Sequence, residues 1–249
     1  CGAAFALADG ITVTDMHDRE ITLDAPATRI VALTPSDCEI LCAIGCEDAL
    51  VGRGKYCDYP ESISELPVVQ SGAETNIEEI LALEPQVVLM SDMSQTEEQA
   101  NMLEQNGVKV VISDANDIAG VYTAIRMIGA LMAKDDAAEA LIGDMQATFD
   151  EIAAKSEKSG KTIYFEVSPL QWGLWTAGSG TFMDEIAQML GLKNAFADVE
   201  GWAEISEEQV LERNPSPSPC TTAKAPRRSR RSNPARAGRM WRQSRTARS

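Results

Sequence analysis

A ten-residue passage occurs twice, 130 residues apart, and that repeat limits this chain to folds with two similar halves. The first copy runs Asn76-Ile-Glu-Glu-Ile-Leu-Ala-Leu-Glu-Pro85, the second Ser206-Glu-Glu-Gln-Val-Leu-Glu-Arg-Asn-Pro215. Glu78 aligns with Glu208, Ile80 with Val210, Leu81 with Leu211 and Pro85 with Pro215. Each copy opens like a capping box, Asn76 with Glu79 and Ser206 with Gln209. A buried-strand pattern, Gln86-Val-Val-Leu-Met90, follows the first copy. Ser216-Pro-Ser-Pro219 follows the second, and no such pattern returns. The repeat predicts two lobes built alike, the second of them incomplete.

The net charge of −16 conceals two regions. Residues 1–215 hold all 38 acids and 12 of the 22 bases, a net −26; residues 216–249 hold ten bases and no acid, a net +10. An acidic body disfavours nucleic acid and anionic membrane as direct ligands. The last 34 residues lack Leu, Ile, Val and Phe, where about eight are usual. A basic nucleic-acid or membrane arm has this composition, and so does an out-of-frame stretch of a GC-rich gene; the switch falls where a strand is due. Either origin predicts a disordered tail over 216–249.

The chain starts at Cys1-Gly2. A mature chain beginning with Cys resembles a bacterial lipoprotein lipidated at Cys1; Ala6-Leu7-Ala8 is alternatively a signal-peptidase pattern in a leader remnant. Both place the protein outside the cytoplasm. No run of 18 apolar residues spans a membrane. Cys38, Cys42 and Cys46 are spaced by four, as along one helical stripe beside Ile40, Leu41 and Ile44, which fits core packing; a metal or cluster site needs a further ligand. No CxxC pair indicates a disulfide framework.

Along the chain, Ile11–Thr14 and Glu20–Leu23 read as a hairpin about His17-Asp18-Arg19. Ile30–Leu33 is a buried strand, and Ser36 or Asp37 is expected to cap a helix that Gly45 ends. Strands are expected at Leu50-Val-Gly52, Val87–Met90 and Val108–Ile112, with a helix from Ser94 and Glu97 to Gly107. Residues 118–158 carry two helical stripes, Val121, Ile125, Ile128, Leu131 and Ala137, Leu141, Met145, Phe149. Strands resume at Thr162–Val167, and Phe182–Leu190 is helical. The alternation predicts an α/β chain with parallel sheet. It divides into a linker or anchor (1–10), an N-terminal lobe (11–117), a helical connector (118–158), a truncated C-terminal lobe (159–215) and the tail.

His17 is the only histidine and falls in the predicted hairpin turn, so neither a Ser-His-Asp triad nor a multi-histidine metal site is expected. No P-loop pattern occurs. The aromatics are scarce, and Tyr56, Tyr59, Trp172, Trp175 and Trp202 fall in or near loops. Loops at strand C-termini face the ligand crevice of open α/β sheets, where rings offer flat apolar contact.

Five passages in order then resemble a known family: Arg29-Ile-Val-Ala-Leu-Thr-Pro-Ser36; Leu50-Val-Gly52 with Tyr56-Cys-Asp-Tyr-Pro60; the first repeat copy; Trp175-Thr-Ala-Gly-Ser-Gly-Thr-Phe182; and Gly201-Trp-Ala-Glu-Ile-Ser206 running into the second copy. Residues 11–215 look like the periplasmic binding proteins that deliver iron–siderophores, haem and cobalamin to ABC importers. The resemblance implies two Rossmann-like lobes joined by a long helix, with a metal chelate between them. It implies ligand contacts from Pro35, Ser36 and Tyr56 on one side and Trp172 and Trp202 on the other, and no resident cofactor or metal. It also implies a monomer whose Glu78 and Glu208 dock onto arginines of an ABC permease; both fall in a first helical turn, where the helix dipole favours negative charge. In the cobalamin-binding member, tyrosine and tryptophan at the positions of Tyr56 and Trp202 contact the corrin, but two further clamp tryptophans fall here on about Gly72 and Ser91. A metal- or cluster-binding enzyme or cofactor-assembly protein on the same two-lobed fold, with Cys42 or Cys46 as a ligand, is the alternative.

Overall fold

The computed structural model describes residues 10–72, 74–91, 95–168, 171, 173–214 and 220–221. The chain divides into two compact units, Cys1–Glu157 and Lys158–Ser249.

In the first unit, strands β1 (Ile11–Thr14) and β2 (Glu20–Leu23) form the expected antiparallel hairpin. The main sheet has five strands: β3 (Ile30–Ala32), β4 (Leu50–Gly54), β5 (Val68–Val69), β6 (Val87–Met90) and β7 (Lys109–Ile112). All its pairings are parallel, in the order β5-β4-β3-β6-β7. Every residue of β3 and β6 is buried, which explains their unbroken apolar runs: a parallel sheet is covered on both faces. Side chains alternate across it. Ile30 and Ala32 enter one core with Leu41, Ile125 and Ile128, while Val31 and Leu33 enter another with Ile80, Val88 and Leu103. Burying one such aliphatic side chain contributes about 1.5–3 kcal/mol.

Helices α1 (Pro35–Ala43), α2 (Ile77–Ala82) and α3 (Glu97–Gln105) connect the strands. The residue before α1 is Thr34, rather than Ser36 or Asp37, because Pro35 has the fixed φ suited to a first helical position. Likewise α3 begins after Thr96, which closes a full capping box with Gln99; the expected Ser94 lies outside the described residues. Gly45 ends α1 at φ +74°, with Gly45 N–H on Cys42 O and Cys46 N–H on Leu41 O, the paired bonds of a Schellman motif. Cys46 therefore leaves the helix, and the three-cysteine stripe is only Cys38 and Cys42.

The helical stretch is two helices, α4 (Ile118–Leu131) and α5 (Asp135–Lys155), separated by a turn with Ala133 at φ +50°. They pack on each other, and α4 also packs on β1 and α1, so both belong to the first unit.

The second unit is built from short strands. β8 (Thr162–Ile163) and β9 (Phe165–Glu166) replace the single expected strand. β10 (Leu174–Ala177) precedes α6 (Phe182–Met189), then β11 (Lys193–Asn194), β12 (Trp202–Ile205) and α7 (Glu207–Arg213). β10 pairs antiparallel with β12, and β8 parallel with β11. Cys220–Thr221 form one more strand, β13, parallel to β9. The expectation that no strand follows Pro215 is thus corrected: neighbouring Phe165–Glu166 backbone recruits two residues of low strand signal. The rest of the basic tail, with its expected disorder, lies outside the described residues.

A Cβ built on Gly54 would sit 2.3 Å from Leu33 O, a backbone atom that cannot swing away. Gly54→Ala is therefore expected to destabilise the protein by about 1–3 kcal/mol in urea unfolding. An unchanged midpoint would mean that β3 and β4 separate freely at this point.

Candidate functional site

Strand order reverses direction between β3 and β6, since the chain builds outward from β3 first to β4 and β5 and later to β6 and β7. In open parallel sheets ligands bind beyond the strand C-termini at such a switch point. Here that edge is formed by Thr34-Pro35-Ser36 after β3, Lys55-Tyr56 after β4, Ser91 after β6 and Ser113-Asp114 after β7.

Pro35 and Ser36 are exposed on the first turn of α1. Tyr56 projects from the adjacent strand end, 70% exposed, with Lys55 Nζ 5.6 Å from its ring centre. Tyr59 is 65% exposed. An open groove of about 780 Å³ beside Tyr56 is lined by Lys55, Val69, Gln70, Ser71 and Glu79. The structure thus brings Pro35, Ser36 and Tyr56 to one sheet edge, beyond the ends of neighbouring strands β3 and β4.

Beneath this edge lies a polar layer that local sequence patterns do not announce. Asp37 is fully buried, its Oδ2 accepting from the Thr34 hydroxyl at 2.5 Å and its Oδ1 unpartnered among the described residues. Burial raises its pKa to about 6, against the lowering effect of the Thr34 and Ser113 hydroxyls. Ser91 Oγ donates to Asp114 Oδ1 at 2.5 Å, and His17 Nε2 lies 3.1 Å from Asp114 Oδ2. Asp15 is buried and accepts from the backbone N–H groups of His17, Arg19 and Ile112 and from Arg19 Nε. Burial pushes its carboxyl up, but these bonds outweigh that and hold it below the usual range. The hairpin is thereby fastened to β7 across 97 residues, a separation that explains why His17 looked isolated in the sequence.

The twin glutamates occupy equivalent places. Glu78 is the second residue of α2 and Glu208 the second of α7, and both are exposed. Asn76 accepts from Glu79 N at 3.2 Å; Ser206 accepts from Gln209 N at 3.3 Å. The reciprocal capping bond exists only in the second copy, Ser206 N to Gln209 Oε1 at 2.8 Å; Glu79 instead receives Gln70 N at 3.0 Å. Backbone N–H and the Ser206 hydroxyl hold the Glu208 carboxyl below its ordinary pKa.

In the second unit, Trp202 opens β12, half-buried, with its ring 5.8 Å from Phe182 and its Nε1 buried without a partner among the described residues. Part of this indole is therefore core, and only the remainder faces outward. Trp175 on the paired strand is 39% exposed. Trp172 and Cys1 lie outside the described residues. Among the described residues no group of three His, Cys, Asp or Glu is placed to hold a metal ion. No described helix is long and apolar enough to cross a membrane.

The family model for periplasmic binding proteins matches residues 30–221. The chain belongs to the periplasmic binding protein family. Among relatives of this periplasmic binding protein is the ABC transporter substrate-binding lipoprotein YvrC of Bacillus subtilis, 31% identical over 82% of this chain and 67% of the relative. The vitamin B12-binding protein of Salmonella choleraesuis is 30% identical over 76% of this chain and 70% of its own length. The crystal structure of the periplasmic heme-binding protein HutB of Vibrio cholerae superposes with a TM-score of 0.68 at 25% identity, covering 76% of this chain and 74% of that one. The fold is the α/β architecture of two-lobed periplasmic binding proteins.

Asp37 gives this periplasmic binding protein a defined pH response. Its folded pKa of about 6 exceeds the ordinary 3.8. The native state therefore holds the proton more tightly, and stability falls as pH rises from about 4 to about 6, then stays reduced. Asp37→Asn is expected to gain about 1–3 kcal/mol relative to the parent at pH 7.5 and to lose that advantage near pH 4. Urea melts at both pH values measure it; a pH-independent difference would refute buried ionisation.

Proposed function

We propose that this chain captures a metal chelate (a ferric siderophore, haem or corrinoid) outside the cytoplasm and delivers it to an ABC importer. The family match across residues 30–221 carries this reading. Relatives named for vitamin B12 and heme support it, because both ligands are large metal macrocycles. Such a ligand needs broad flat contact more than point charges, and exposed Tyr56 at the switch-point edge offers it.

In this reading Pro35, Ser36, Tyr56, Trp172 and the outward part of Trp202 are ligand contacts. The protein binds and hands over its cargo without making or breaking bonds, as a monomer. Glu78 and Glu208 engage basic residues of the permease: each is exposed near the start of a capped helix, so its charge is presented without being spent on an internal ion pair.

Titration with hemin, cyanocobalamin and a ferric siderophore, followed by tryptophan fluorescence and visible absorption, tests the ligand class. Saturable quenching by one of them is expected, and Tyr56→Ala should weaken it about tenfold, or about 1.4 kcal/mol. Silence with all three chelates would sink the reading. The double charge reversal of Glu78 and Glu208 to Arg is expected to leave chelate affinity intact and to abolish stimulation of the reconstituted permease's ATPase. Retained stimulation would move docking elsewhere.

A further inference from the structure

Two cysteines converge on one carbonyl oxygen. Cys38 Sγ lies 3.8 Å from Ala32 O, and Cys57 Sγ lies 3.8 Å from the same atom. Both residues are wholly buried, and both thiols are free in this structure. They come from different places. Cys38 sits on the first turns of α1, three residues after Pro35, and Cys57 directly follows Tyr56. Each is held by its backbone: Cys38 N–H reaches Thr34 O at 3.4 Å, Cys57 N–H reaches Gly54 O at 3.1 Å, and Arg53 Nη1 donates to Cys57 O at 2.8 Å. Cys42 and Cys46 stand apart in kind: Cys42 is half-exposed, and Cys46 Sγ faces Ile44 O at 3.9 Å beyond the helix end.

We infer that Cys38 and Cys57 are a disulfide site, closed by thiol–disulfide exchange with an oxidising disulfide, either a small molecule or an oxidoreductase. Two S–H bonds break and one S–S bond forms; the two protons and two electrons convert the oxidant's disulfide into two thiols. One thiolate attacks the oxidant's disulfide and expels its first thiol, and the other cysteine resolves the mixed disulfide and expels the second. Because both sulfurs are buried, exchange precedes the packing of the Tyr56 loop over Ala32. Disulfides persist outside the cytoplasm, so occupancy in the cell rests on the extracytoplasmic reading, whereas the capacity to pair does not. The bond ties the turn bearing Pro35 and Ser36 to the loop bearing Tyr56, fixing the spacing of these sheet-edge contacts.

The test is refolding of the full chain in oxidised glutathione, with alkylation of remaining thiols under denaturing conditions and tryptic mapping. The expected product joins peptide 30–53 to peptide 56–109, with loss of the mass of two hydrogens and a higher urea midpoint than the reduced protein. Cys38→Ser and Cys57→Ser should each abolish the linked peptide, and Cys42→Ser should retain it. A wild-type map without the link, or a link that survives Cys38→Ser, would overturn the assignment. None of these readouts uses a chelate, so failure of the ligand titrations and failure of the disulfide are told apart.

Discussion

Burial of β3 on both faces is the constraint from which the first unit follows. Ile30, Val31 and Ala32 have no exposed surface, and the strand pairs with β4 on one side and β6 on the other. A central parallel strand cannot close a hairpin, so each neighbour must return through a crossover. Those crossovers carry α1 and α2, and α3 leads on to the edge strand β7. With β3 at the switch point, the loop leaving it is placed over the sheet edge, and Thr34, Pro35 and Ser36 are displayed there. The same strand supplies Ala32 O, on which the two buried thiols meet. Architecture, displayed sheet edge and cysteine pair thus depend on three small or β-branched residues that fit between two cores.

The sheet edge combines exposed and buried chemistry in successive layers. Tyr56, Pro35 and Ser36 face outward, while Asp37 sits beneath them with no exposed surface. A buried carboxylate whose Oδ1 lacks a partner among the described residues is costly once ionised. Such a group is poor stability design, and natural proteins tolerate that mainly where a surface must keep a particular shape. Its Thr34 bond holds together the turn on which Pro35 begins α1.

What could be read from the sequence was whatever local chemistry decides. The β1–β2 hairpin and the buried run of β6 declared themselves through alternation and unbroken hydrophobicity, and the repeated passage yielded two helices with Glu78 and Glu208 at the same position. Helix starts were misplaced where two capping residues compete within a few positions. Pro35 makes Thr34 the last extended residue, and Gln99 makes Thr96 the better partner in a capping box. Contacts that join distant segments left no local signature. Asp15 with Ile112, His17 with Asp114, and Cys38 with Cys57 each depend on topology. β13 escaped for the same reason, since Cys220–Thr221 pair as a strand through the neighbouring backbone rather than through their own apolar pattern.

The two repeat copies, alike in sequence, are held by different means. Neither α2, with six residues, nor α7, with seven, is long enough to be stable by itself. α2 is anchored by Ile80, which is fully buried, and by Glu79 bound to Gln70 N. α7 has no fully buried residue: Val210 is half-buried against the cluster of Tyr164, Leu174, Phe196 and Ile205, and Leu211 is 77% exposed. The rest of its hold is polar: a complete capping box at Ser206, and Arg213 at the other end, bonded to Ala195 O and Asp198 and lying 4.2 Å from the Phe196 ring centre. Exposed ion pairs contribute little individually, so the ring contact and the carbonyl bond on Arg213 matter more than its charge pairing. Glu78 is thus presented from a hydrophobic mount and Glu208 from a capped, arginine-tied one. A helix with no fully buried residue opens at lower free energy than one anchored in a core, so of the two helices α7, which carries Glu208, is the more easily deformed.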